Sequence, residues 1–417
     1  MYIRRKIEET VQKTSKTFPV LLLTGPRQSG KTTLLTRLGG SERKYVTLDD
    51  PEDRLFAKKE PVAFLERYSP PVIIDEIQYA PEILPYIKMH VDKNKQNGDF
   101  WLTGSQMFHM MKNVSESLAG RVGIINLFGL SNSEITGNLF NAYTTDKDEL
   151  LRRINTAKPQ TLPEVFERIY KGGMPRLYEQ TDVDLSEYFS SYVQTYLSRD
   201  IRELTQVADE LTFYRFLCIA AARTGLMVNY DALAKETEIS APTAKQWLSI
   251  LVSSGIVVLI SPYHNNALKR VVKAPRMYFL DTGLAAHLTK WSSPEVLESG
   301  AMAGAFFETY VVSEIYKSFI NMGKIPPLYY YRDSNSKEID LIIWQNGTIY
   351  PIEIKKSSNP TGAAKHFSVL NPVTKESNFN EMSYHLKTEI GTGSVICLAN
   401  NLRPVENNSW TVPVWLI

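Results

Sequence analysis

The chain has 417 residues, 43% of them hydrophobic and 22% charged, with 47 Lys and Arg against 45 Asp and Glu for a formal charge of +2. That length holds roughly three domains. The composition excludes a largely disordered protein, and the charge balance leaves room for nucleic-acid binding only where basic residues cluster. The two cysteines, Cys218 and Cys397, are too few and too far apart for a disulfide framework or a zinc site. The charged start is followed by no apolar run of signal-peptide length. The longest apolar stretches, such as 20–23 and 256–260, fall far short of the roughly 20 residues that span a bilayer. Together these features predict a soluble, cytoplasmic protein without a membrane partner.

Up to about residue 140, short apolar strands (20–24, 44–48, 72–74, 99–102, 124–127) alternate with helical stretches, the first of them at 31–38. This alternation predicts a parallel sheet covered by helices. Between the first strand and its helix stands Gly25-Pro26-Arg27-Gln28-Ser29-Gly30-Lys31-Thr32-Thr33, which fits G-x-x-x-x-G-K-[ST] at every fixed position. The glycines let backbone N–H groups close around phosphates, and the helix start aims its positive end at the same anion. Lys31 is expected on the β- and γ-phosphates of ATP and the Thr32 hydroxyl on Mg²⁺.

The strand at 72–74 runs into Asp75 and Glu76. Asp75 would hold Mg²⁺ through water. Glu76 would orient or deprotonate the attacking water, a role that a hydrolase needs and a kinase does not. The next strand ends in Thr103-Gly104-Ser105, whose hydroxyls could meet the γ-phosphate or the lytic water; Ser105 is taken as a catalytic candidate. Arg121, in Leu118-Ala119-Gly120-Arg121, is expected to neutralise transition-state charge, in cis or across a subunit boundary, which would make the protein an oligomer.

From 141 to 205 the text is mostly helical and rich in Tyr and charge, with a loop signal at Gly172-Gly173-Met174-Pro175. The phosphate loop, the Asp75-Glu76 strand, Leu102-Thr103-Gly104-Ser105, Ser117 to Val122, and Tyr196-Leu197-Ser198-Arg199-Asp200-Ile201 together resemble a family of bacterial and archaeal AAA-type ATPases. The resemblance covers most of the chain. It implies an ATPase core, and in that family the C-terminal half is a domain of unknown function.

In 206–280, helices are expected at 211–223, at 230–236 behind an Asn229 cap, and at 241–252 behind a Ser240 cap with Pro242 in the first turn. Extended segments follow at 256–260 and 276–280. Three helices and a ribbon are the layout of a winged helix. The segment carries eight basic against five acidic residues. Lys245 in the recognition helix and Lys269, Arg270 and Lys273 in the wing would make salt-dependent phosphate contacts with DNA or RNA.

Beyond 295 the pattern is α/β again: a helix at 304–320, strands at 328–332, 339–344 and 348–355, and later strands at 394–398 and 412–416. Asn346-Gly347 supplies a hairpin turn. Glu353 and Lys355, two apart on a strand, share a face. The hairpin would bring Asp340 beside them, and the preceding helix offers Glu308. This order of helix-Glu, strand-Asp, hairpin and strand-Glu-x-Lys resembles the PD-(D/E)-x-K nuclease superfamily. The resemblance implies a second site for Mg²⁺ or Mn²⁺ on Glu308, Asp340 and Glu353, with Lys355 activating water.

The expected architecture is therefore α/β in four parts. An AAA-type P-loop core at 1–140 is followed by a helical connector at 141–205, a winged helix at 206–290 and a restriction-endonuclease-like domain at 291–417. The leading functional expectation is ATP hydrolysis coupled to nucleic-acid binding and metal-dependent cleavage. The alternative is a nucleotide-dependent switch that recruits a protein partner through a non-catalytic nuclease-like platform.

Overall fold

A computed structural model describes residues 2–104, 117–180, 182–196, 210–263, 274–333, 336–370 and 389–417. Five strands form the first sheet: β1 (Val20–Thr24), β2 (Lys44–Thr47), β3 (Val72–Asp75), β4 (Phe100–Gly104) and β5 (Val122–Asn126). They pair in the order β2-β3-β4-β1-β5, every pair parallel. β1, β3 and β4 are buried along their whole length, as a parallel sheet covered on both faces requires. Leu21 and Leu23 point to one face, where they meet Val11, Leu34 and Leu35 from the helices Glu8–Thr17 and Lys31–Gly39. Val20 and Leu22 point to the other, against Phe64, Ile87 and Val91 from the helices Pro61–Arg67 and Leu84–Asn94. The two-residue alternation of a strand separates the two half-cores. Because β4 inserts between β1 and β3, its C-terminal end stands between the phosphate loop and Asp75.

The helices Glu210–Ala222, Tyr230–Thr237 and Ala241–Ser253 follow. Asn229 and Ser240 cap the second and third, accepting from the Ala232 and Thr243 N–H groups. An antiparallel ribbon comes next, β6 (Val257–Pro262) with β7 (Arg276–Phe279). β6 also pairs with β8 (Leu328–Arg332) through Ser261–Tyr329 and Pro262–Tyr330, so the ribbon continues the C-terminal sheet. That sheet includes β9 (Glu338–Gln345), β10 (Thr348–Ile354), β11 (Glu389–Ile390), β12 (Gly393–Cys397), β13 (Arg403–Val405) and β14 (Ser409–Pro413). Its order is β13-β14-β12-β10-β9-β8-β6-β7, with β11 on the side of β10.

The final strand differs from expectation. It runs over 409–413 rather than 412–416, and Val414–Leu416 form a 3-10 turn, since Pro413 has no N–H to carry the ladder on. The helix Ala303–Asn321 is buried on nearly all sides. Phe306, Phe307, Val311 and Ile315 join connector residues such as Phe166 and Phe189, and C-terminal residues such as Trp415 and Leu416, in one hydrophobic core. Among the described residues, no helix is long and apolar enough to cross a membrane.

Candidate functional site: a phosphate cradle between two layers

The loop after β1 is shaped by two glycines. Gly25 has φ 145°, and a Cβ there would lie 2.0 Å from the Leu127 carbonyl oxygen. Gly30 has φ 89° and starts the helix Lys31–Gly39, a left-handed conformation that costs a side-chain-bearing residue energy. The Ser29 hydroxyl donates to the Pro26 carbonyl at 2.9 Å. The Lys31 ammonium, 6% exposed, turns back onto the Gly25 and Pro26 carbonyls at 3.0 and 2.8 Å.

Asp75 ends β3 in a dense set of hydroxyls. Thr32 donates to its Oδ1 at 2.9 Å and Tyr45 to its Oδ2 at 3.1 Å. Burial and the Asp75 charge hold the Tyr45 phenol up at about 12. Thr103, fully buried at the end of β4, donates to Asp75 Oδ1 and accepts the Glu76 N–H at 3.1 Å. Glu76 stands at φ 55°, a strained region for a side-chain-bearing residue, with Gln78 donating to its carboxylate. Thr103 therefore faces Asp75 and Glu76 rather than a phosphate. Ser105 lies outside the described residues.

A cavity of about 600 Å³ joins these groups. Arg27, Gln28, Gly30, Lys31, Thr32, Thr33 and Glu76 line it from the sheet side. Sequence reasoning missed the opposite walls. Tyr2, Ile3 and Arg5 come from the N-terminal segment, and Pro175, Arg176 and Glu179 from the connector. Arg5, 4% exposed, braces the cradle. It donates to the carbonyls of Ser29 at 3.1 Å and Phe128 at 2.7 Å, and pairs with Glu134 at 3.0 Å. Its one sequence signal is a charged residue just ahead of a helix, which is too common to single out.

The 172–175 loop is clamped from both sides. The Leu130 N–H donates to the Gly173 carbonyl at 2.6 Å, and the Gly173 N–H donates to Asp281 Oδ2 at 2.9 Å. The other Asp281 oxygen accepts the Leu284 N–H at 2.9 Å. Burial pushes the Asp281 carboxyl above its ordinary range. The donor set fits a magnesium nucleotide: a lysine beside a helix N-terminus, a hydroxyl and a carboxylate 2.9 Å apart, and a cavity of matching size.

Arg121 corrects one expectation. It precedes β5 and its carbonyl accepts the Val20 N–H, so it stands at the N-terminal end of the sheet. The phosphate loop leaves the other end of β1, about 16 Å away over five residues. A cis role at the phosphates is excluded by this placement. The side chain pairs with Asp92 and the Ala119 carbonyl.

The C-terminal constellation partly assembles. Lys355 meets Glu353 Oε1 at 2.5 Å and Asp340 Oδ2 at 3.6 Å, so these two carboxylates share a face. Glu308 is drawn instead to Tyr278 at 2.7 Å and to Arg276 at 3.3 Å. Burial, then the Asp340 charge, raise both Glu308 and Glu353 to about 7. Among the described residues no three His, Cys, Asp or Glu side chains form a group that could hold a metal. Lys245 is exposed on its helix, whereas Lys269, Arg270 and Lys273 lie outside the described residues.

Residues 17–136 match the family described as "AAA domain". Residues 162–295 and 303–417 match two further families, "Domain of unknown function (DUF8612)" and "Domain of unknown function (DUF4143)". "Uncharacterized protein Rv2008c" of Mycobacterium tuberculosis is 30% identical over 346 residues, which cover 82% of this chain and 71% of that protein. "Uncharacterized protein Mb2031c" of Mycobacterium bovis matches to the same extent. The chain belongs to their family. Its N-terminal part matches the AAA domain, and that match supports nucleotide binding. Among solved structures, a Walker-type ATPase of Pyrococcus abyssi has a TM-score of 0.43 at 16% identity, covering 69% of this chain and 96% of that one. The RuvB protein of Thermotoga maritima has a TM-score of 0.29 at 19% identity, covering 60% and 88%.

Proposed function

We propose that this AAA-type ATPase binds Mg-ATP between the 25–33 loop and Asp75-Glu76, hydrolyses it, and passes the nucleotide state to its C-terminal half. The observation that carries this reading is the two-sided cavity: the phosphate cradle and Glu76 form one wall, and Pro175 and Arg176 form the other. Mg²⁺ supplies charge neutralisation to the phosphates when bound. Thr32 and Asp75 are the residues to hold it, and Lys31 swings from the Gly25 and Pro26 carbonyls to the β- and γ-phosphates. Glu76 orients the attacking water, and Thr103 fixes Glu76 by holding its N–H. Arg176 opens the short helix Arg176–Glu179 directly behind the loop clamped by Asp281, so a change at the phosphates reaches the C-terminal half through that loop.

The same proposal makes nucleic acid the partner. Its support is the arrangement of three helices, two of them capped, and a ribbon, with Lys245 exposed on the third helix and Lys269, Arg270 and Lys273 in the segment between the ribbon strands. ATP turnover measured with and without single- and double-stranded DNA and RNA tests it. Stimulation, with a slope of affinity against salt that flattens when the four basic residues are neutralised, is the expected result. Indifference to every nucleic acid, with nucleotide-dependent capture of a protein, would replace this reading with that of a protein-recruiting switch.

A further inference from the structure

The order of Glu308, Asp340, Glu353 and Lys355 in the sequence resembles a metal-dependent nuclease site, yet the surroundings of these carboxylates do not suit a metal cation. We infer that Arg276 takes the cation's place among Glu308, Glu338 and Asp340, and that these carboxylates hold no divalent metal. The inference stands on geometry independent of the ATP site.

Arg276 comes from β7, in the ribbon rather than from the elements that carry the acids, and its side chain is 8% exposed. Its guanidinium lies 2.7 Å from Glu338 Oε2, 3.3 Å from Glu308 Oε1 and 4.0 Å from Asp340 Oδ1. It also stacks 4.9 Å from the centre of the Tyr330 ring. A guanidinium cannot give up its proton in a protein. Any dication near these three acids would therefore face a fixed like charge at close range in a buried setting.

Other donors engage these acids as well. Tyr278 donates at 2.7 Å to the same Glu308 Oε1 that Arg276 meets, and the Ile354 N–H donates to Asp340 Oδ2 at 2.9 Å. Lys355 covers Glu353 Oε1, and Arg332 reaches Glu338 Oε1 at 3.1 Å. Four carboxylates thus meet three cations from the chain itself. Glu353 Oε2 is buried without a hydrogen-bond partner. With Glu338 Oε1, Glu353 Oε1 and both Asp340 oxygens facing cations or an N–H, the oxygens left on Glu308 and Glu353 are too few for Mg²⁺ or Mn²⁺, which require several oxygen ligands in near-octahedral array.

The consequence is structural. Glu308 on the long helix, Glu338 and Asp340 on β9, and Arg276 on β7 form one ion-paired hub. Removing one partner of such a buried network leaves the others uncompensated.

The test is Mn²⁺ binding to the full chain, read by electron paramagnetic resonance and by the thermal midpoint. Nucleotide is absent, and Asp75→Asn is present throughout to remove the carboxylate that would hold a metal at the ATP site. The parent should take up no stoichiometric Mn²⁺ and show no Mn²⁺-dependent shift. Arg276→Met leaves four acids against two cations and should gain one Mn²⁺ and a Mn²⁺-dependent rise in midpoint. Both should vanish on adding Asp340→Asn. One equivalent of Mn²⁺ on the parent, lost with Asp340→Asn, would overturn the inference, as would an Arg276→Met protein that folds and gains no metal. If Arg276→Met does not fold, the parent and Arg276→Lys decide, both being expected to stay metal-free.

Discussion

Thr103 is the residue on which the geometry of the ATP site turns. Its hydroxyl donates to Asp75 and accepts the Glu76 N–H, so its contribution is to hold two groups of different duty in register. Thr103→Val keeps the shape and removes both bonds. The expected cost is about 1–3 kcal/mol of stability and a fall in turnover of about tenfold or more, with nucleotide affinity changed less. Equal turnover in parent and variant would show that Glu76 needs no such support. Arg121 calls for a different experiment, because its position leaves only a role across a subunit boundary. On that reading Arg121→Ala slows turnover by at least an order of magnitude, in line with fingers supplied in trans. Mixing it with Lys31→Ala protein restores part of the rate. No rescue on mixing, or an unchanged rate, makes Arg121 a partner of Asp92 and nothing more.

Among the elements, those defined by local pattern were legible in the sequence. β1, the phosphate loop, the helices capped by Asn229 and Ser240, and the Asn346-Gly347 hairpin each depend on residues within one turn or one strand of each other. What the sequence hid depends on distant partners. The Gly173 N–H meets Asp281, Arg5 meets Ser29 and Glu134, and β6 finds β8, none of which any periodicity encodes. The nuclease-like order of residues was equally readable, but Arg276 was not, since nothing local ties the ribbon to Glu308.

The buried acids also carry a pH signature. Burial raises Glu308 and Glu353 from the ordinary 4.5 to about 7, so between those values the folded protein binds more protons than the unfolded one. Stability should then fall as pH rises through that window. In EDTA, Glu353→Gln should lose part of this fall between pH 5 and 8. A slope unchanged by the substitution would show that Glu353 is ionised in the fold throughout.

At the scale of the whole molecule, the sequence boundaries near 205 and 290 were drawn from composition and pattern. The packing shows one core running from the connector through the helix Ala303–Asn321 to Trp415 and Leu416. In the proposed function, the link from this body to the nucleotide is the 172–175 loop. Asp281→Ala removes the acceptor for the Gly173 N–H and a helix cap, costing about 1–3 kcal/mol. It should weaken ATP binding several-fold although Asp281 is no part of the phosphate cradle. Full affinity in that variant would sever the proposed route from nucleotide to C-terminal half.

The central claim is that this chain hydrolyses Mg-ATP with Glu76 directing the water. Turnover and nucleotide binding measured together on the parent, Lys31→Ala and Glu76→Gln test it most directly. The account predicts slow hydrolysis by the parent, loss of nucleotide binding in Lys31→Ala, and retained ATP binding with turnover abolished in Glu76→Gln. Hydrolysis by Glu76→Gln at the parent rate would contradict it.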